Sequence, residues 1–210
     1  SKQYPPGSTF KPLVALAALE SGYDAETKIN CSGKTKLGKR YYHCWKKEGH
    51  EEVNLIEAIE QSCNIYFYQM SREVGIDKIT QISKEFGLGK KLDIPLDNQK
   101  SGLLPTKKWK KRIFGVNWVL GDTYNSSIGQ GFVESTTLQL AVMTARLASK
   151  GKKIEPSIFK TNENPIFAEM NFSKRNIDLV LEGMFRVVNG EDGTAKYSKI
   201  RDPKLSLIHI

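Results

Sequence analysis

At 210 residues, 39% hydrophobic and 26% charged, the chain has the composition of a globular domain and enough length for a sizeable core. Its formal charge of +9 comes from clusters such as Lys34 to Arg40 and Lys107 to Arg112. With lysines spread along the whole chain and no nucleic-acid fold signature, a nucleic-acid partner is excluded in favour of a solvated face or an anionic polymer or surface. No apolar run approaches the roughly 20 residues of a membrane-spanning helix, and no signal peptide precedes the first apolar stretch.

Pro5 and Pro6 cannot sit inside a helix and Gly7 permits an unusual turn, so the first helix is expected to begin near Ser8 and run to about Ser21. Leu13, Val14, Ala17 and Leu19 would bury it. Tyr23 to Glu52 is polar, rich in glycine and lysine, and reads as loops and short strands. Asn54 can cap a helix from Leu55 to about Gln61, and a second starts near Asn64, which puts Ser62 to Asn64 at a helix–helix junction. Ile76, Ile79, Ile82 and Phe86 mark an amphipathic helix stopped by Gly87-Leu88-Gly89. From Lys90 to Gly131, glycine, proline and lysine punctuation predicts irregular structure, with a loop over Asp122 to Gly131. Ser135 or Thr136 can cap a helix that ends at Gly151, and a last helix is expected from about Ser173 to Val188. The pattern is α+β and mainly helical, with no internal repeat.

The chemistry concentrates in two short motifs. Ser8 would lie at the positive end of its helix, three residues before Lys11 on the same face. A serine hydroxyl is a poor nucleophile at neutral pH, and a lysine withdrawn from water, its pKa lowered, can serve as its base. Alone, Ser-x-x-Lys is weak, since a helix cap plus a solvated lysine gives the same letters. The Pro-Pro-Gly entry, the apolar continuation and the later Ser62-Cys63-Asn64 together favour catalysis, although helix capping also accounts for Ser62 and Asn64.

These motifs resemble those of the serine penicillin-recognising enzymes, whose set is Ser-x-x-Lys, Ser-x-Asn and Lys-Thr-Gly. Four stretches, YPPGSTFKPL from Tyr4, CWKKEGH from Cys44, SCNIYFYQ from Ser62 and WVLGDTYNSSIGQG from Trp118, resemble the elongation-type class B penicillin-binding proteins. The resemblance runs from Tyr4 to about Lys204 and implies the transpeptidase fold shared with serine β-lactamases. It implies that Ser8 attacks the penultimate D-alanine carbonyl of a peptidoglycan stem peptide, that Lys11 takes its proton, and that Ser62 relays a proton to the leaving D-alanine. Asn64 would bind the substrate backbone and steady Lys11, and Gln130, between Gly129 and Gly131, would shape the site. β-Lactams would acylate Ser8. The resemblance further implies a parent held in the bacterial inner membrane, facing the periplasm, that serves cell-wall elongation and cell shape beside a glycosyltransferase.

The third motif, Lys-Thr-Gly, is not in the sequence; Gly193-Thr194-Ala195-Lys196 has the wrong order, and in the family a Gly-Thr-Ala of this kind precedes the strand. Residues 1–204 are therefore expected to be a partial transpeptidase domain with an incomplete sheet, lacking earlier strands and the anchor, poorly soluble and weak in turnover by itself. After Lys204 the resemblance stops, and Leu205-Ser206-Leu207-Ile208-His209-Ile210 is what CTG-TCT-CTT-ATA-CAC-ATC, a transposon end used as a sequencing adapter, encodes. That tail is expected to be non-native, with a natural apolar tail as the alternative.

Cys31, Cys44, His50 and Cys63 fall within one stretch as Cys-x12-Cys-x5-His-x12-Cys, a donor count that suits tetrahedral zinc in a closed structural site. His43 is a poorer substitute, being adjacent to Cys44. A Cys31–Cys44 disulfide with a packed Cys63, or three unlinked thiols, fits the same letters. Two other functions share part of the pattern. A class D-like β-lactamase or β-lactam sensor would carry valine where Asn64 stands, and a noncatalytic partner-binding domain of the elongation machinery would not need Ser8.

Overall fold

The computed structural model describes residues 2–159 and 165–199; the 205–210 tail and the Asp202-Pro203-Lys204 junction lie outside them. Helix α1 (Lys11–Leu19) is the centre of the molecule, and all nine of its residues are buried. A helix apolar on every side has no solvent face to offer, so the other elements wrap around it. Helices α2 (Leu55–Glu60), α3 (Asn64–Val74), α4 (Ile76–Glu85) and α8 (Lys174–Asn189) all contact it. Leu13, Val14 and Leu16 are fully buried, and truncating any one of them to alanine is expected to cost about 2–5 kcal/mol.

The approach to α1 differs from the expected single helix. Gly7–Phe10 forms a 3₁₀ turn, and the α-helix starts only at Lys11, with Pro12 in its first turn. Pro12 has no N–H to give to a preceding carbonyl, which a helix begun at Ser8 would have required. Ser8 is thus exposed on the turn, while Lys11 is buried at the first α position.

Two antiparallel hairpin-like pairs fill the polar stretch between α1 and α2. Strand β1 (Ile29–Cys31) pairs with β4 (Glu51–Val53), and β2 (Lys34–Leu37) with β3 (Arg40–His43). Asn54 then caps α2 with a full capping box: its side chain accepts from Glu57 N–H, and Glu57 accepts from Asn54 N–H. Helix α8 crosses α2 closely at Gly183, where a Cβ would come within 2.8 Å of Ile59. Its N-terminus is held by Glu20, whose Oε1 accepts from Ser173 N–H and Asn176 Nδ2.

The stretch expected to be irregular contains two helices, α5 (Lys107–Phe114) and α6 (Leu120–Ser127). Thr106 caps α5 by accepting from Trp109 N–H, and Gly115 ends it in the left-handed conformation. At α6 the Asp122 carboxylate accepts from Val119 N–H. Asp122 to Gly131 is therefore mostly helix, with only the turn after Ser127 irregular. The same carboxylate binds Lys110 at 2.5 Å, and this nearly buried ion pair locks α5 to α6. Helix α7 (Thr137–Ala148) follows under a Thr136–Gln139 capping box. Among the described residues the sheets are small and the chain is mainly helical, as expected.

Candidate active site and metal centre

The Ser8 turn is fixed from two directions. Tyr4 exchanges backbone hydrogen bonds with Ser135, and Gly7 N–H donates to Gly129 O at 2.9 Å. Gly129 has φ +69°, and a Cβ there would fall 2.1 Å from the Gly7 carbonyl oxygen, so only glycine lets the two turns meet. Gln130 is thereby set beside Ser8. Both line one open pocket with Trp45, Ser62, Asn64, Ile128 and Thr194.

The second motif adopts a geometry that serves Lys11 rather than helix capping. Cys63, not Ser62 or Asn64, is the N-cap of α3, and its side chain makes no capping bond. Ser62 has φ +52°, a left-handed conformation uncommon outside glycine, which turns both its carbonyl and its hydroxyl toward Lys11. Lys11 Nζ donates to Ser62 O at 2.7 Å, Ser62 Oγ at 2.9 Å and Asn64 Oδ1 at 2.8 Å. These three acceptors match the three donors of an ammonium. Burial nevertheless pushes the Lys11 pKa down to about 8, against smaller opposing contributions from Cys63 and Cys44. Among the described residues the Lys11 hydrogen bonds all go to Ser62 and Asn64, and none goes to Ser8.

Losing one proton would leave Lys11 with two N–H groups and a lone pair. Ser62 O and Asn64 Oδ1 can hold the former, which frees the lone pair for a hydroxyl proton. The arrangement is thus a poised base bonded to the Ser62 hydroxyl, with Ser62 and Ser8 lining one open pocket.

The cysteine cluster lies directly behind this wall. Cys44 N–H donates to Gly33 O and His50 N–H to Cys31 O, so the β1–β4 and β2–β3 pairs bring Cys31, Cys44 and His50 together, and the start of α3 supplies Cys63. The four donor atoms lie within 4.8 Å of one another and all four residues are buried. His50 Nδ1 is 3.5 Å from both Cys31 Sγ and Cys44 Sγ. With metal–sulfur near 2.3 Å and metal–nitrogen near 2.0 Å, the sulfur–nitrogen edge of a tetrahedron is about 3.5 Å. The donors therefore fit a zinc ion.

Two of the donors are already biased to the ligating form, Cys44 toward thiolate and His50 toward neutral imidazole, whereas Cys63 would have to give up its proton to a metal. A hydrogen bond from Cys63 holds the Cys44 thiol down at about 4, the same bond pushes Cys63 up, and burial lowers His50 toward the neutral imidazole. All three cysteines are free, so the Cys31–Cys44 disulfide is not formed, and His43 is exposed away from the cluster, lending only its carbonyl to Asn64 Nδ2. Asn64 N–H donates to Cys44 Sγ at 3.3 Å, so Asn64 joins the cluster by its backbone and Lys11 by its side chain.

Sequence reading brought Ser8, Lys11, Ser62, Asn64 and Gln130 to one site and missed Trp45, Ile128 and Thr194 on its wall. Trp45 had a signal, being next to Cys44; its indole N–H donates to Gln61 O and its ring meets that of His50 at 5.3 Å. Thr194 belongs to the Gly-Thr-Ala set aside above. It reaches the pocket because Gly190 to Thr194 folds back on α2, where Thr194 N–H donates to Glu60 O.

Comparison with known proteins identifies the family. The family model "Penicillin binding protein transpeptidase domain" matches residues 1–206. Peptidoglycan D,D-transpeptidase MrdA of Acinetobacter baumannii is 36% identical over 203 residues, 90% of this chain and 30% of the relative. Penicillin-binding protein PBP2 of Helicobacter pylori superposes with a TM-score of 0.89 at 34% identity, over 98% of this chain and 39% of that one. The same protein in complex with MreC gives 0.89 over 97% and 38%. The chain thus spans about a third of the curated relative's length. With the serine turn, the lysine and the Ser-x-Asn wall assembled as they are, and with a match over nearly every residue, the chain belongs to the penicillin-binding protein transpeptidase family.

Proposed function

We propose that this chain carries the nucleophile half of a peptidoglycan D,D-transpeptidase site. In this reading Ser8 Oγ attacks the carbonyl of the penultimate D-alanine, and Lys11 Nζ takes the hydroxyl proton. Ser62 Oγ passes a proton to the departing D-alanine nitrogen, and the acyl-enzyme then transfers to an amine of a second stem peptide. Asn64 holds Lys11 and the substrate backbone, and Gln130 shapes the mouth of the site. β-Lactams would trap the same serine. The observation that carries the proposal is the three-point hold on a buried Lys11, its pKa lowered to about 8, by Ser62 and Asn64, which line the pocket that displays Ser8.

Cys31, Cys44, His50 and Cys63 would hold a structural zinc ion, which when bound supplies a cross-link among the loops behind Ser62 and leaves no open position for chemistry. By analogy with its relatives, the protein works on the periplasmic side of the inner membrane in cell-wall elongation, with a glycosyltransferase and an MreC-like protein as partners. Among the described residues no helix is long and apolar enough to cross a membrane.

The test is acylation by a fluorescent penicillin in a chimera that carries residues 1–204 in place of the matching stretch of the Acinetobacter baumannii relative. Label on the Ser8 peptide that vanishes in Ser8→Ala supports the reading. A folded chimera that labels elsewhere, or not at all, removes it.

A further inference from the structure

Helix α5 presents a surface that neither the fold nor the catalytic site uses. Lys108, Lys111 and Arg112 recur at helical spacing on one exposed face, and none has an acidic partner among the described residues. The neighbouring cations are already committed: Lys107 pairs with Asp77 and Lys110 with Asp122. Beside this free basic stripe the chain exposes Ile113, Phe114, Val116 and Val119, each more than half accessible. Trp109, Phe114 and Phe132 form a three-ring cluster with centroids 5.2–5.6 Å apart, backed by the Lys110 ammonium over the Phe132 ring.

Continuity decides what this surface meets. Phe132 is two residues beyond Gln130, a wall of the Ser8 pocket, and the Lys110–Asp122 pair fixes α5 to the helix that leads into that wall. A bilayer contact would need a long amphipathic face, whereas α5 has eight residues, and Val116 and Val119 lie on the loop after it. Phe132 thus joins the aromatic cluster to the Gln130 segment of the pocket wall, and Trp109 and Phe114 join the cluster to the helix that carries the three cations.

We propose that the α5 face is a docking track for the strand that bears the substrate: a glycopeptide whose sugar and alkyl faces lie on Phe114 and Phe132 and whose free carboxylates pair with Lys108, Lys111 and Arg112. This deepens the transpeptidase reading and rests on it for the identity of the strand. The track supplies binding and orientation only. Charge complementarity is its warrant, because uncross-linked wall glycopeptides are polyanions and the stripe is an unpaired polycation.

The experiment measures binding of muramidase-released, uncross-linked wall glycopeptides to the 210-residue chain by titration calorimetry. It is repeated with Lys108→Glu/Lys111→Glu/Arg112→Glu, with Phe114→Ser, and with glycopeptides whose carboxylates have been amidated. Circular dichroism and thermal melts establish that each variant is folded, and the triple reversal is also placed in the chimera. The expected result is about tenfold weaker binding for the triple reversal, since each exposed ion pair is modest and three are inverted together. Weaker binding is also expected for Phe114→Ser and for the amidated ligand. No binding by the unaltered chain, equal binding by the triple reversal, or equal binding of amidated ligand would overturn the proposal. Tighter binding to phosphatidylglycerol vesicles, lost on the same reversal, would overturn it in favour of a membrane contact. Penicillin labelling reports separately: labelled Ser8 with unchanged glycopeptide binding removes the track alone, and unlabelled Ser8 with charge-dependent binding removes the transpeptidase reading and leaves the track as a polyanion site.

Discussion

Gly129 touches Gly7 backbone to backbone: its carbonyl accepts the Gly7 amide at 2.9 Å, and a Cβ on it would fall 2.1 Å from the Gly7 carbonyl oxygen. The turn that displays Ser8 is therefore seated on the turn that displays Gln130. Gly129→Ala must push these turns apart and also strain a φ of +69°. The expected outcome is a penicillin acylation rate at Ser8 at least about tenfold lower in the chimera, because a displacement of about 1 Å can cost two orders of magnitude in positioning. Gly131→Ala, whose nearest neighbour is the Asn125 Cβ at 3.1 Å, should cost less.

Lys11 sets the pH dependence. Its pKa is lowered to about 8, chiefly by burial, so the amine is mostly protonated below that pH and cannot accept the Ser8 proton. Acylation of the chimera should rise about tenfold per pH unit on the acid side and level off above about pH 8. Lys11→Arg keeps the charge, never deprotonates, and should abolish the reaction while the protein stays folded. The sign for stability is the same. The unfolded chain holds more protons on this lysine between about 8 and 10.5, so stability gained from Lys11 increases with pH across that window. Urea melts of the wild type and Lys11→Met at pH 7.5 and pH 9.5 measure it.

The proposed zinc site predicts a stoichiometry. Purified chain should contain one zinc per molecule by elemental analysis, and Cys44→Ser should lower that content and the melting temperature together. Unchanged zinc in Cys44→Ser would remove Cys44 from the ligand set. Because Asn64 N–H leans on Cys44 Sγ while its side chain holds Lys11, chelation should also alter the Asn64 amide signals in nitrogen–proton spectra.

The Lys110–Asp122 pair is nearly buried, and among the described residues neither side chain has a second ion-pair partner. Lys110→Ala leaves the Asp122 carboxylate without its counter-ion, held only by the Val119 N–H, and should destabilise the chain by about 3 kcal/mol in urea unfolding. The double variant Lys110→Met/Asp122→Leu should recover much of that loss, since it removes the uncompensated charge along with the pair.

Much of this was legible in the residues. Asn54, Thr136 and Ser173 announced their helices by capping chemistry, and the all-apolar run from Leu13 announced a buried helix. The two motifs and the Cys31, Cys44, His50 and Cys63 cluster were readable because their letters carry chemistry. Helices α5 and α6 were not, since glycine and lysine density masked helices whose ends are fixed by Thr106, Gly115 and Asp122. The true partners of Lys11 were also hidden. Three-residue spacing suggested Ser8, but the strained turn at Ser62, more than fifty residues away, offers better acceptors and draws the ammonium inward. Thr194 stayed hidden because its place in the pocket depends on a fold-back onto Glu60.

The most direct test of the central claim is intact-mass and peptide mapping of the folded chimera after exposure to a penicillin. One penicilloyl group is expected on the peptide containing Ser8, retained for many minutes and absent in Ser8→Ala. A folded chimera that acquires no adduct at Ser8, or that keeps its adduct in Ser8→Ala, would contradict it.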